Sequence, residues 1–193
     1  MLTAGITCFN DMYFFPEVAS QAALEMGIRM VAGMICFDME NSYAKTANEC
    51  IDKGLAMRES LSGQNRVTTA FAPHAPYTVS DQPLVRIAEL SRALDTRVHM
   101  HVNETTNEDT DSVATHGLST LRRLDGLGLL NNRLVAAHMV HLTDDDVAAT
   151  AAAGSSVVHC PESNLKLASG FCQVDRLLRS GINVALGTDG AAS

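Results

Sequence analysis

At 193 residues the chain is long enough for one domain with a sizeable core, and 46% of it is hydrophobic. Its 14 Lys and Arg stand against 22 Asp and Glu, a formal charge of −8 with no basic stretch. That argues against nucleic acid or an anionic membrane as partner and for a small neutral or cationic substrate.

Five scattered cysteines (Cys8, Cys36, Cys50, Cys160, Cys172) with no Cys-x-x-Cys pair argue against a disulfide framework. Met1-Leu2-Thr3-Ala4-Gly5 has no cationic lead, so the chain does not open like a signal peptide, and a reducing, cytoplasmic setting is expected. No apolar stretch approaches the ~20 residues of a membrane-spanning helix.

In chain order, a strand is expected over Gly5–Asn10, then a helix that Pro16 opens and Gly27 closes. Strands follow over Ile28–Ile35 and Arg66–Phe71. Ser80 then caps a helix whose apolar positions Leu84, Ile87, Leu90 or Ser91, and Leu94 recur at helical spacing. Further strands fall at Arg97–His101 and Leu134–His138. Thr143 caps a helix opening on Asp144-Asp145-Asp146, where the helix dipole favours carboxylates. Ser156–His159 and Asn183–Gly187 are the last strands, preceded by the helix-ending Gly154 and Gly181. These strands are rich in Val, Ile, Thr and Ala and mostly lack strict alternation, as strands buried on both faces do.

Strand–helix alternation implies a parallel sheet with right-handed crossovers. A doubly wound sheet would carry its ligand on Gly-rich phosphate loops, and neither G-x-G-x-x-G nor a P-loop is present. A barrel builds its site from side chains at the C-terminal ends of many strands. Here His74, His101, His138, His159 and Asp189 each follow a strand-like run, which favours the barrel. Seven strands do not close one, so an N-terminal strand and a final helix are expected to lie outside this chain.

His101 and Glu104 place a histidine at a strand end and a carboxylate in the loop after it. That spacing suits a metal site with a proton shuttle, but His-x-x-Glu is short and common, and a core histidine beside a surface carboxylate reads equally well. His99 shares a strand face with His101, so the two could chelate one ion. A buried, hydrogen-bonded role is the better reading for His99, which would lie deeper. Asp189 emerges from a buried run between small residues, the setting of a metal ligand or of a turn-making Asp. Of His138 and His141, His138 is better placed to face a site and His141 reads as a loop residue. Two prolines bracket His74 in a rigid turn, as substrate contact or plain structure would require. His159-Cys160 is read as packing and loop anchoring, with no second Cys at ligand spacing.

Taken together, Phe9–Phe14, Phe71–Tyr77, His99–Glu104, Ala137–Leu142, Pro161–Leu167 and Leu186–Ser193 resemble the amidohydrolase superfamily in its deaminase and s-triazine hydrolase branch. The likeness is strongest to the 5′-methylthioadenosine/S-adenosylhomocysteine deaminases and runs over nearly the whole chain. The resemblance implies an α/β fold, an incomplete TIM-type (β/α)8 barrel with strands 2 to 8 present. It makes residues 1–193 a single partial metal-dependent hydrolase barrel domain without the N-terminal strand or the family's β-sandwich.

By the same resemblance, one divalent metal ion, zinc or alternatively iron, would be held by His101 and Asp189. Glu104 would be the proton shuttle, Asp189 a further proton carrier, and His138 would lie beside the activated water or the carbonyl it forms. His74 would hydrogen-bond the substrate base, with Glu104 and Asp189 also touching substrate. The implied activity is hydrolytic deamination of an aminopurine nucleoside with release of ammonia, by an enzyme that associates into homo-oligomers. Guanine deamination, triazine dechlorination and a non-catalytic truncated barrel are the alternatives. The family's first-strand His-x-His, which supplies two metal ligands, has no counterpart here: His99 and His101 belong to its fifth strand. Only two of the four expected ligands are therefore predicted from this chain.

Overall fold

A computed structural model describes residues 1–190; Ala191, Ala192 and Ser193, the end of the last family-like stretch, lie outside the described residues. The elements run β1 (Cys8–Asp11), α1 (Pro16–Met26), β2 (Arg29–Cys36), α2 (Ala47–Ser60), β3 (Val67–Pro73), α3 (Asp81–Ala93) and β4 (Val98–Val102). They continue with α4 (Thr106–His116), α5 (Thr120–Gly126), β5 (Leu134–His138), α6 (Asp144–Ala153), β6 (Ser156–His159), α7 (Pro161–Lys166), α8 (Val174–Arg179) and β7 (Asn183–Leu186). Hydrogen bonding follows the sequence order β1-β2-β3-β4-β5-β6-β7, and the recorded pairs are parallel. Each strand beside its successor is the order of a (β/α) barrel; a doubly wound sheet reverses direction at a switch point. All seven expected strands form, with ends shifted by at most a few residues.

The chain divides into two compact units, with β4 passing from the first into the second. The first holds Met1–His74 and Thr78–His99. Its centre is β2, buried from Ala32 through Cys36, paired from Met30↔Val67 to Cys36↔Pro73 with β3. At Gly33 a side chain has no room: a Cβ would sit 2.4 Å from the Asp11 carbonyl oxygen and 2.9 Å from Ala72 Cβ. Pro16 stands in the first turn of α1 and Gly27 ends it in the left-handed region, φ 71°. Thr46 caps α2, its hydroxyl accepting from Glu49 N–H at 3.1 Å.

In α3 the buried stripe is Leu84, Ile87 and Ser91, so the small hydroxyl takes the inner place and Leu94 is exposed. Ser80 occupies the cap position, yet its side chain makes no cap bond. Its N–H instead donates to Asp38 Oδ2 at 2.7 Å.

The second unit holds Ala75–Tyr77 and the chain from Met100 onward. Its core includes Met100, Val102, Leu121, Leu124, Leu134, Val157 and Leu177. Thr143 and Asp146 form a reciprocal capping box at the start of α6, Thr143 N–H donating to Asp146 Oδ2 at 2.9 Å and Asp146 N–H to Thr143 Oγ1 at 3.2 Å. Gly154 ends α6 at φ 68°, and Gly181 turns the chain into β7 at φ 77°. The buried guanidinium of Arg123 donates to the Pro76 carbonyl at 2.6 Å, tying the Ala75–Tyr77 segment to α5.

Two expectations about the strands need correction. β1 and β7 are largely exposed, Leu186 by 79%, because terminal strands in the order have a neighbour on one side only among the described residues. β4 alternates strictly: Val98, Met100 and Val102 are buried while His99 and His101 are half-buried, since polar side chains take one face and apolar ones the other. No helix among the described residues is long and apolar enough to cross a membrane.

Candidate metal and proton-transfer site

The second unit brings together four of the five site residues expected from the sequence. His101, near the end of β4, and His138, the last residue of β5, have ring centroids 5.3 Å apart. Asp189, just past β7, reaches both: Oδ1 lies 3.9 Å from His101 Nε2 and Oδ2 3.9 Å from His138 Nε2. One ligand atom from each of the three lies within 4.8 Å of the others. Glu104 follows in the loop after β4, its Oε2 3.8 Å from His138 Nε2. All four come from the C-terminal ends of strands, where parallel (β/α) folds build their sites.

The backbone is strained where these side chains are presented. Asn103, His138, Met139 and Asp189 have φ values of 50°, 73°, 48° and 59°. A non-glycine residue there costs roughly 1–2 kcal/mol, and such residues gather at functional sites. His138 N-terminal to Met139 in this conformation turns the imidazole inward, where it is 1% exposed.

Behind the cluster stand two residues of α7. Asn164 Oδ1 lies 2.8 Å from His138 Nδ1. An amide oxygen only accepts, so Nδ1 carries the proton and Nε2 keeps its lone pair toward the cluster. Ser163 Oγ, fully buried, donates to Asp189 Oδ2 at 2.6 Å. On the other side Ser169 Oγ donates to Glu104 Oε1 at 3.2 Å. Sequence reasoning missed these partners. Ser163 and Asn164 lie inside the quoted Pro161–Leu167 stretch, but nothing local marks them as facing a histidine and an aspartate.

The remaining candidates have separate settings. His74 belongs to the first unit, where its Nδ1 lies 3.0 Å from Thr78 Oγ1 and its ring 4.6 Å from that of Phe37. His99 accepts from Asn10 Nδ2 at 3.0 Å through Nδ1; it is hydrogen-bonded as expected, though half-buried rather than buried because it shares the polar face of β4. His141 is a loop residue, its Nε2 donating to the Ser169 carbonyl at 2.7 Å. His159 is half-buried at the end of β6, and burial lowers its pKa below the ordinary value. Burial, with the charge of Asp189 second, pushes the Cys160 thiol up to about 11, away from the range of an activated nucleophile.

The sequence pattern of the amidohydrolase family matches residues 1–193. The chain belongs to the amidohydrolase family. A 5-methylthioadenosine/S-adenosylhomocysteine deaminase of Saccharophagus degradans is 45% identical over 193 residues, 100% of this chain and 43% of the relative. A 5'-deoxyadenosine deaminase of Methanothrix thermoacetophila is 39% identical over 193 residues, 100% of this chain and 45% of that protein. The crystal structure of an adenosine deaminase from Xanthomonas campestris with bound zinc matches with a TM-score of 0.97 and 45% identity, covering 100% of this chain and 44% of that one. The fold is thus an incomplete TIM-type (β/α) barrel of the amidohydrolase kind. The chain spans less than half the length of these relatives.

The family's metal fits the residues present. Two imidazole nitrogens and a carboxylate oxygen are the donor types that zinc and non-haem iron take, and three protein donors leave room for a water. His138, which the sequence reading set beside the metal, stands within the donor cluster itself. The outer partners Asn164 and Ser163 do what such partners do in metal sites, orienting one imidazole and one carboxylate.

Proposed function

We propose that this chain carries the proton-transfer end of a metal-dependent hydrolytic deaminase acting on an aminopurine nucleoside of the 5′-methylthioadenosine/S-adenosylhomocysteine type. The observation that carries the reading is the convergence of His101, His138 and Asp189 within 4.8 Å, with the Glu104 carboxylate 3.8 Å from His138. The deaminase names of relatives 38–45% identical to it support the substrate class.

His101, His138 and Asp189 would hold one divalent ion, zinc by the precedent of the Xanthomonas enzyme, which when bound lowers the pKa of a water toward neutrality. Glu104 Oε2 takes a proton from the attacking water and delivers it to a ring nitrogen of the purine. The water oxygen bonds to the carbon that bears the amino group; Asp189 takes the remaining proton of the added hydroxyl and passes it to the amine, and the carbon–nitrogen bond breaks to release ammonia. His138, its Nδ1 proton held by Asn164, would present the bare Nε2 lone pair to the ion. Water is consumed, one ammonia is released and no redox partner is required.

Glu104→Gln in the full-length protein is the test. The amide keeps the shape but accepts no proton, so ammonia release from S-adenosylhomocysteine should fall by about 10²–10⁴ while bound zinc per chain is unchanged. Turnover at the parent rate would sink the assignment.

A further inference from the structure

Glu104 is fastened at both ends. Its N–H donates to Glu108 Oε1 at 2.8 Å, and the Thr105 N–H donates to the same oxygen at 3.0 Å. The Asn103 N–H donates to Glu108 Oε2 at 2.8 Å. A helix-capping carboxylate needs only the N-cap amide, here that of Thr105. The two further bonds reach back along the loop and hold Asn103 in its left-handed conformation at φ 50°.

The side-chain end is held by Ser169, whose Oγ donates to Glu104 Oε1 at 3.2 Å. Ser169 is itself pinned on both sides. Its carbonyl accepts from His141 Nε2 at 2.7 Å, and its N–H donates to the Asn164 carbonyl at 2.8 Å. The His141 carbonyl accepts from Asn103 Nδ2 at 2.9 Å, which closes a ring of hydrogen bonds back to the loop that carries Glu104. Gly170 completes the fit: at φ 123°, a Cβ there would stand 3.0 Å from Val140 Cγ1.

We propose that Ser169 and Glu108 are positioning residues for proton transfer at Glu104. A carboxylate has two equivalent oxygens and a soft terminal torsion, so by itself it offers either oxygen in many orientations. Ser169 occupies Oε1, which leaves Oε2, the oxygen facing His138, to take and release the proton. Glu108 fixes the peptide from which the side chain projects. A proton carrier gains its rate from such placement, and displacements near 1 Å cost about 10²-fold. The inference rests on the reading of Glu104 as the proton carrier.

The test uses Ser169→Ala, Ser169→Thr and Glu108→Ala in the full-length, zinc-loaded protein, beside Glu104→Gln. Ser169→Ala should lower kcat about tenfold or more with KM within about twofold and zinc content unchanged, and Ser169→Thr, which keeps the hydroxyl, should restore most of it. In zinc-free protein, Glu108→Ala should speed amide exchange at residues 103–105 by about tenfold or more while exchange in the last turn of α4 is unchanged. Loss of turnover in Glu104→Gln together with a parent-like kcat in Ser169→Ala, or parent-like exchange at 103–105 in Glu108→Ala, overturns this inference and leaves the deaminase reading standing. Parent-like turnover in Glu104→Gln overturns both.

Discussion

Replacing Asn164 with Ala should weaken metal binding without touching any donor atom. The His138 ring is 1% exposed, and its Nδ1–H is satisfied by Asn164 Oδ1 at 2.8 Å. Without that oxygen, a buried N–H left unpaired costs about 1–3 kcal/mol. The metal-free protein escapes part of that cost by moving the proton to Nε2, the nitrogen that must be bare to bind an ion. Binding then has to reverse the tautomer, so the cost reappears as lost affinity. At about 1.4 kcal/mol per factor of ten, 1–3 kcal/mol corresponds to roughly 5- to 150-fold, overlapping the usual effect of removing an outer partner of a metal-bound histidine. Zinc affinity measured by competition with a chromophoric chelator reads this directly. Asn164→Asp, which keeps an acceptor at the same place, should bind at least as tightly as the parent. A dissociation constant for Asn164→Ala within about twofold of the parent's would refute the tautomer argument.

Three further outcomes are expected. Gly33→Ala should destabilise the fold by about 1–3 kcal/mol or more, because the added methyl meets the Asp11 backbone, which cannot swing aside; an unchanged thermal midpoint would contradict the packing described at β1 and β2. In the native protein at neutral pH, a disulfide reagent should label Cys8, which is exposed, well before the four buried cysteines, with burial holding the Cys160 and Cys172 thiols up near 11; mass spectrometry showing Cys160 labelled as fast as Cys8 would contradict it.

The third concerns pH. Burial raises the Glu108 carboxyl above its ordinary value despite three backbone donors, so the folded chain holds that proton more tightly than the unfolded one. Its contribution to stability is full below the ordinary carboxylate range and is lost as pH rises through the raised value. Relative to Glu108→Gln, the parent should therefore lose stability as pH climbs from about 4.5, measured by urea midpoints; a difference that is flat or rises with pH would show that the three N–H donors outweigh burial.

The strands and the helix punctuation were legible in the sequence because they are set locally. Pro16 and Gly27 bracket α1, and Thr143 with Asp146 opens α6, through bonds between residues a few positions apart. A β-run such as Ile28–Ile35 advertises itself by its apolar stretch after Arg29, so β2 formed within a residue of its expected ends. Burial of whole strands was less legible. The exposure of β1 and β7 depends on which neighbours flank them, and no residue within either strand encodes that.

The site divides along the same line. His101, His138 and Asp189 could be singled out because each follows a strand-like run, and Glu104 because it falls in the loop just after His101; in a parallel fold those positions put polar side chains at one end of the sheet. What the amino-acid order determined by itself was therefore the alternation of strands and helices, and the chemistry waiting at the strand ends. Only the tertiary structure decided that His138 stands among the donors, that Asn164 fixes its tautomer, and that Ser163 and Ser169 each engage one carboxylate. Those contacts join residues 26 to 65 positions apart, and a hydrogen bond across such a span is settled by the packing of separate elements. Local sequence carries no record of it.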